Sequence, residues 1–182
     1  MTKAVLFLAT GFEDIEVASI IDTLRRGGVE VVIAGLQAGA IEGKYGIKLV
    51  PDIAIDEIEL EKYDAVILPG GYPGYANLGA DRRVLESVKK AFGIGIFVAA
   101  ICGAPSVLAK SGVLKGKKAT IYPGMEAELT GAKPSNERVV VDGTVVTSQG
   151  PGTALEFGVK LVEILAGDKK ARALKEELVA NF

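Results

Sequence analysis

Short runs of unbroken apolar residues alternate along this chain with stretches whose apolar positions recur every three or four residues. Glycine or proline marks most changes between the two. Residues 3–9 (KAVLFLA) are one such run, and an uncharged run of this length suits a strand buried on both faces of a parallel sheet. Thr10 to Glu13 then carry the T-x-x-E spacing of a capping box, which predicts a helix running to about Arg26 and ended by Gly27 and Gly28. Residues 29–35 (VEVVIAG) predict a second strand, completing a βαβ unit for which a parallel, right-handed crossover is strongly preferred. Residues 37–50 are glycine-rich with short alternating runs and predict a small antiparallel excursion.

The pattern then repeats. Residues 63–68 (YDAVIL) predict a buried strand, residues 69–74 (PGGYPG) a loop, and residues 81–92 a helix. The apolar run that begins at Ile94 ends at Cys102, after which Pro105 fits the first turn of a helix, where its missing N–H costs nothing. Residues 117–122 predict another strand and 125–129 a short helical turn. Residues 138–142 and 144–148 predict a hairpin turned at Asp142-Gly143, and helices over 153–165 and 169–179 follow. Strand–loop–helix units with uncharged strands predict an α/β fold: a flavodoxin-like, doubly wound, mostly parallel sheet in an αβα sandwich, with residues 1–182 as a single domain.

Composition narrows the function. Apolar residues make up 49% of the 182 and charged residues 24%, dispersed along the chain, so a large core and a polar surface are both expected. A net charge of -2 and the absence of a Lys/Arg run argue against nucleic acid as a partner. The longest uncharged stretch, the one that contains Cys102, carries glycine and proline and falls short of the ~18 continuous apolar residues of a membrane span, and the first apolar run is too short and too soon followed by acids for a signal peptide. A single cysteine closes no internal disulfide, so a reducing cytoplasm is expected. The chain has no histidine, which excludes a Cys-His dyad or Ser-His-Asp triad of its own and leaves no plausible zinc cluster; no metal is expected. Neither G-x-G-x-x-G nor a P-loop motif occurs.

In a doubly wound sheet the ligand site lies at the carboxyl ends of the strands, and three loops land there: residues 10–16, residues 68–71 and residues 101–103. A lone cysteine is by itself as consistent with an inert small hydrophobe as with a reactive thiol. The strand-to-helix junction favours reactivity for Cys102, because N–H groups at a helix start lower a thiol's pKa. Glu13 and Asp14 read as helix-start acids complementing the macrodipole. Glu16, on the face of Ile20, is expected to point partly into the site, with burial and a neighbouring thiolate keeping it protonated. The glycines of LPGG alone specify only a tight turn; their functional reading is an oxyanion hole formed by the backbone N–H groups of Gly71 and Gly103. Tyr122 and Met125 read as packing.

TGFEDIE after the first strand, YDAVILPGG, AAICGAPSVLAKSGVLKGKKATIYPG and TSQGPGTALEFG together resemble the ThiJ/PfpI superfamily, in its DJ-one branch, the Parkinsonism-associated deglycase group. The likeness runs nearly end to end. It implies that Cys102 is a nucleophile-elbow cysteine, Glu16 its partner carboxyl, and Gly71 and Gly103 the donors of an anion pocket, with Gly70, Tyr122 and Pro151 as further lining. It also implies a homodimer and chemistry without a cofactor. The activities in view are conversion of methylglyoxal to lactate, deglycation of early methylglyoxal adducts, redox sensing through a cysteine sulfinate, and chaperone behaviour. The substrate is then a small 2-oxoaldehyde or a glycated molecule. Two positions depart from the family pattern: Tyr122 stands where relatives carry a histidine before proline, and Gly103 where peptidase members carry a histidine after the cysteine. Both weigh against peptidase or amidase chemistry.

Overall fold

A computed structural model describes residues 2–182. Its first half contains β1 (Lys3–Leu8), α1 (Asp14–Arg26), β2 (Glu30–Gly35), β3 (Ile41–Glu42), β4 (Lys48–Leu49), β5 (Ile53–Ala54), β6 (Ala65–Leu68), α2 (Gly74–Ala80) and α3 (Arg82–Gly93). The second half adds β7 (Phe97–Ile101), α4 (Pro105–Lys110), β8 (Lys118–Ala119), β9 (Lys133–Pro134), β10 (Val139–Asp142), β11 (Val145–Ser148), α5 (Ala154–Ala166) and α6 (Asp168–Glu177). The central sheet runs β10-β11-β7-β6-β1-β2-β5, parallel throughout except for the antiparallel edge strand β10. The mostly parallel, doubly wound sandwich expected from the strand pattern is what forms.

Alternation along each buried strand feeds two cores. In β1, Val5 and Phe7 join Val84, Val88, Val107 and Leu108 under α3 and α4, while Ala4, Leu6 and Leu8 join Val17, Ile20, Leu24, Phe157 and Leu161 under α1 and α5. Each fully buried side chain of this size contributes about 1.5–3 kcal/mol. The excursion over residues 37–50 is the antiparallel pair β3–β4, and the Asp142-Gly143 hairpin is β10–β11.

Four local expectations are corrected. Thr10 is exposed and does not cap α1. The cap is Glu13, whose carboxylate accepts the Glu16 N–H at 2.7 Å, so the helix begins at Asp14. Helix α2 begins at Gly74, the last residue of the predicted loop, and fills residues up to Ala80, for which no element is expected before the helix at Asp81. The strand expected over 117–122 shrinks to β8, which pairs with β9 outside the central sheet, because the Thr120 and Tyr122 N–H groups go instead to Thr147 Oγ1 and the Cys102 carbonyl. Asp14 is more than a dipole complement: buried, it accepts N–H groups of Tyr45 at 3.0 Å and Ile47 at 2.9 Å and ties the β3–β4 turn to the start of α1. No described helix is long and apolar enough to cross a membrane.

Candidate active site

Strand β7 lies between β6 and β11, with Ala100 opposite Leu68 and Ile101 opposite Ser148. The chain therefore leaves β7 at Cys102, flanked by the loops that follow both neighbours. Cys102 has φ +64, a left-handed conformation that costs a non-glycine residue roughly 1–2 kcal/mol. It is pinned on both sides: its N–H donates to the Ser148 carbonyl at 3.0 Å, and its carbonyl accepts the Tyr122 N–H at 2.9 Å. This strained turn lifts the sulfur above the carboxyl edge of the sheet. Helix α4 starts only at Pro105 and is six residues long. The N–H groups beside the sulfur are consequently those of Gly71 and Gly103 in the loops, not the start of a long helix whose macrodipole the sequence suggests.

Glu16 reaches the site from α1. Its side chain is fully buried, and Oε2 accepts the Gly70 N–H at 2.7 Å. The Gly70 carbonyl in turn accepts the Glu13 N–H at 3.0 Å, so α1 grips the loop after β6 at both polar groups of one residue. Gly70 is required there: a Cβ would stand 2.5 Å from Cys102 Cβ and 2.7 Å from Glu16 Oε2. Glu16 and Cys102 thus press against the same bare Cα. The other carboxyl oxygen, Oε1, is buried with no hydrogen-bond partner among the described residues.

The two groups titrate as a pair. Burial raises Glu16 to about 7, opposed by the Gly70 N–H and then by Cys102, and assisted by the charge of Glu13. Burial, then the charge on Glu16, pushes the Cys102 thiol up to about 12, opposed by the N–H groups of Gly71 and Gly103. An ionised Glu16 opposes loss of the thiol proton, so the two protons leave in separate steps. The first leaves near neutral pH, and the one that remains can sit on either the sulfur or Glu16. With that proton on Glu16, the charge opposing a thiolate is gone and an Oε1 hydroxyl, lacking any other partner, can donate to Sγ. The lowered thiol pKa expected from sequence is corrected: burial and the charge on Glu16 raise it.

Of the residues singled out from sequence, Cys102, Glu16, Gly70, Gly71 and Gly103 converge. Tyr122 is 47% exposed, and its ring lies against Gly150, where a Cβ would be 3.3 Å away. It forms a rim rather than core packing. Pro151 opens a 3-10 turn after β11 that is held by the Thr153 hydroxyl, which contacts Ser148 Oγ at 2.6 Å and donates to the Gly150 carbonyl at 2.9 Å. Sequence reasoning missed Tyr75. Its ring lies on Gly103, at which a Cβ would come within 2.6–2.9 Å of three ring carbons. The pair of tyrosines around Pro73-Gly74 was the available signal. A cavity of about 270 Å³ at the β5 edge, lined by Gln37, Asp52 and Glu57 among others, holds no nucleophile. Chemistry rather than depth marks the site at Cys102.

A cysteine on a strained turn at the carboxyl edge of a doubly wound sheet, with N–H donors from two loops and a buried carboxyl beside it, has the strand-to-helix turn geometry in which α/β proteins present a reactive side chain. The chain belongs to the DJ-1/PfpI family, whose model matches residues 2–164. It is 38% identical to protein dj-1beta of Drosophila melanogaster over 99% of this chain and 98% of that protein. It is 35% identical to the glutathione-independent glyoxalase DJR-1.2 of Caenorhabditis elegans over 91% of this chain and 89% of that protein. The crystal structure of Drosophila DJ-1beta superposes with a TM-score of 0.95, covering 100% of this chain and 99% of that one. The structure described as oxidized Toxoplasma gondii DJ-1 gives 0.95 at 34% identity, covering 100% of both.

Proposed function

We infer that this protein is a cofactor-independent glyoxalase that converts a small 2-oxoaldehyde such as methylglyoxal to its 2-hydroxy acid, lactate, and that early methylglyoxal adducts are substrates of the same site. The observation that carries this reading is the Cys102–Glu16 pair, with Oε1 unpartnered and the Gly71 and Gly103 N–H groups directed at the sulfur. The name of the C. elegans relative supports it.

Cys102 sulfur attacks the aldehyde carbon, and the oxygen that gains charge is held by the two loop N–H groups. Glu16, holding the shared proton when the sulfur attacks, delivers it to that oxygen and becomes a carboxylate. It then takes the proton from the same carbon, the electron pair forms the enediol, and the neighbouring carbon is protonated in turn. The product is a thioester on Cys102; one carbon has been oxidised and its neighbour reduced, with no external oxidant. Water releases the acid and the thiol. Lactate formation from methylglyoxal tests the reading. Wild-type turnover is expected to fall at least about 1000-fold in Cys102→Ala and about 100-fold or more in Glu16→Gln. Unchanged turnover in either variant would sink it.

The same unpartnered Oε1 favours one second reading. A protonated Glu16 and two N–H groups form a donor set for the oxygens of a cysteine sulfinate, which would make Cys102 a redox sensor. Mild peroxide followed by intact mass should stop at two added oxygens in wild type and continue further in Glu16→Gln. Equal progression in both excludes it.

A further inference from the structure

The thiol has a neighbour that this mechanism has not used. Tyr75, on α2, lays the ring edge carrying its hydroxyl along Gly103: Cδ1, Cε1 and Cζ stand 2.7, 2.6 and 2.9 Å from the point where a Cβ on Gly103 would be. The ring occupies space that any other residue at 103 would fill, so the phenol is seated beside the backbone that supplies one oxyanion donor. Tyr75 is partly buried, and its ring meets the largely exposed Tyr72 ring at a centroid distance of 6.1 Å and a tilt of 59°. No hydrogen bond of the described residues contributes to its titration; burial, then the charges at Cys102, Glu128 and Tyr72, raise its pKa. The phenol therefore keeps its proton at neutral pH and its hydroxyl is available as a donor. In a chain without histidine, it is a neutral proton-bearing side chain placed next to the nucleophile.

We propose that Tyr75 is a further catalytic residue, its hydroxyl donating a hydrogen bond to the second carbonyl oxygen of a 2-oxoaldehyde held on Cys102. The assignment rests on the glyoxalase reading above. Once the aldehyde oxygen is seated on the Gly71 and Gly103 N–H groups, the ketone oxygen is one carbon–carbon bond away, and Tyr75, whose ring lies on Gly103, is the side chain assigned to it. When Glu16 removes the proton from the first carbon, the C–H electron pair becomes the carbon–carbon double bond and the ketone π pair moves onto its oxygen. Charge develops there, where the two loop N–H groups do not reach. The Tyr75 hydroxyl stabilises that enediolate oxygen, which then takes the proton of the first hydroxyl as the thioester forms. Glu16 returns its proton to the second carbon, and Tyr75 ends as it began.

Tyr75→Phe keeps the ring on Gly103 and removes only the donor. In wild type and this variant, the assay measures kcat and KM for methylglyoxal, the isotope effect with deuterium on the aldehyde carbon, and the rate of Cys102 alkylation. Loss of one preorganised oxyanion donor is expected to lower kcat about 100- to 1000-fold. KM should stay within about threefold, the isotope effect should increase as enolisation becomes slower, and alkylation should stay within about twofold. Tyr72→Phe should match wild type in every measurement. Cys102-dependent turnover with Tyr75→Phe at the wild-type kcat and isotope effect overturns the role of Tyr75 while leaving the glyoxalase reading intact. A fall in kcat matched by an equal fall in alkylation also overturns it, because the tyrosine would then act on the thiol. Wild-type turnover that survives Cys102→Ala overturns the glyoxalase reading, and Tyr75's part with it.

Discussion

Glu16→Gln should stabilise this protein, and by an amount that depends on pH. An ordinary glutamate ionises near 4.5, whereas Glu16 holds its proton to about 7 because it is buried. Between those values the unfolded chain has released a proton that the folded protein keeps. Stability falls as pH rises wherever the native state binds more protons, so wild type loses stability through this window and levels off above it. Each pH unit is worth about 1.4 kcal/mol, and the whole window comes to roughly 3 kcal/mol. Glutamine still offers an oxygen to the Gly70 N–H and has nothing to ionise. The variant should therefore match wild type near pH 4.5 and exceed it by roughly 3 kcal/mol at pH 8. For a chain of this size that is a Tm difference of roughly 6–12 °C. Thermal unfolding by circular dichroism at a series of pH values, under reducing conditions, reads it directly. A Tm difference that stays constant from pH 4.5 to 8, or a wild type that is the more stable at pH 8, refutes the reasoning.

Two further outcomes follow from single positions. Gly70→Ala puts a methyl group 2.5 Å from Cys102 Cβ and 2.7 Å from Glu16 Oε2, so it should separate the pair. Methylglyoxal turnover is expected to drop by about 100-fold and stability by about 1–3 kcal/mol, and retention of both in steady-state kinetics and melting would show that the close approach does not matter. Val179 follows α6 with φ +52, a left-handed position that glycine fills without strain, and the Ala180 N–H there closes on the Lys175 carbonyl at 2.9 Å. Val179→Gly should raise Tm by about 2–4 °C, corresponding to about 1 kcal/mol, without altering turnover.

The layout of the fold was legible because its strands are buried on both faces and read as unbroken apolar runs, with β1, β6 and β7 as the plainest cases. Helix α2 was not, since it starts at Gly74, directly after the loop chemistry of Pro69, Gly70, Gly71 and Pro73, and only Leu78 among its large side chains is fully buried. Thr10 and Glu13 show the limit of a spacing rule: both positions suit a cap, and the contact between Glu13 N–H and Gly70 carbonyl, made across the sheet edge, favours the later start. Within the site, the convergence of Cys102, Glu16, Gly70, Gly71 and Gly103 could be read from where βα loops must lie. A raised Glu16 could be read as well, from its expected burial; the raised thiol could not, because it depends on how deeply Cys102 sits and on the charge of Glu16 beside it. Tyr75 stayed hidden because its place is set by the missing side chain at Gly103, twenty-eight positions downstream and on another element.

The claim on which the rest depends is that the Cys102–Glu16 pair loses its first proton near neutral pH and then holds a single proton between the two groups. With a single cysteine in the chain, the pH dependence of alkylation by iodoacetamide reports Cys102 alone. The rate should rise through one step centred near pH 7, at least about one unit below the ~8.5 of an ordinary thiol, and Glu16→Gln should move that centre upward. A rate that climbs only at or above the range of an ordinary thiol, with the same centre in Glu16→Gln, would contradict it.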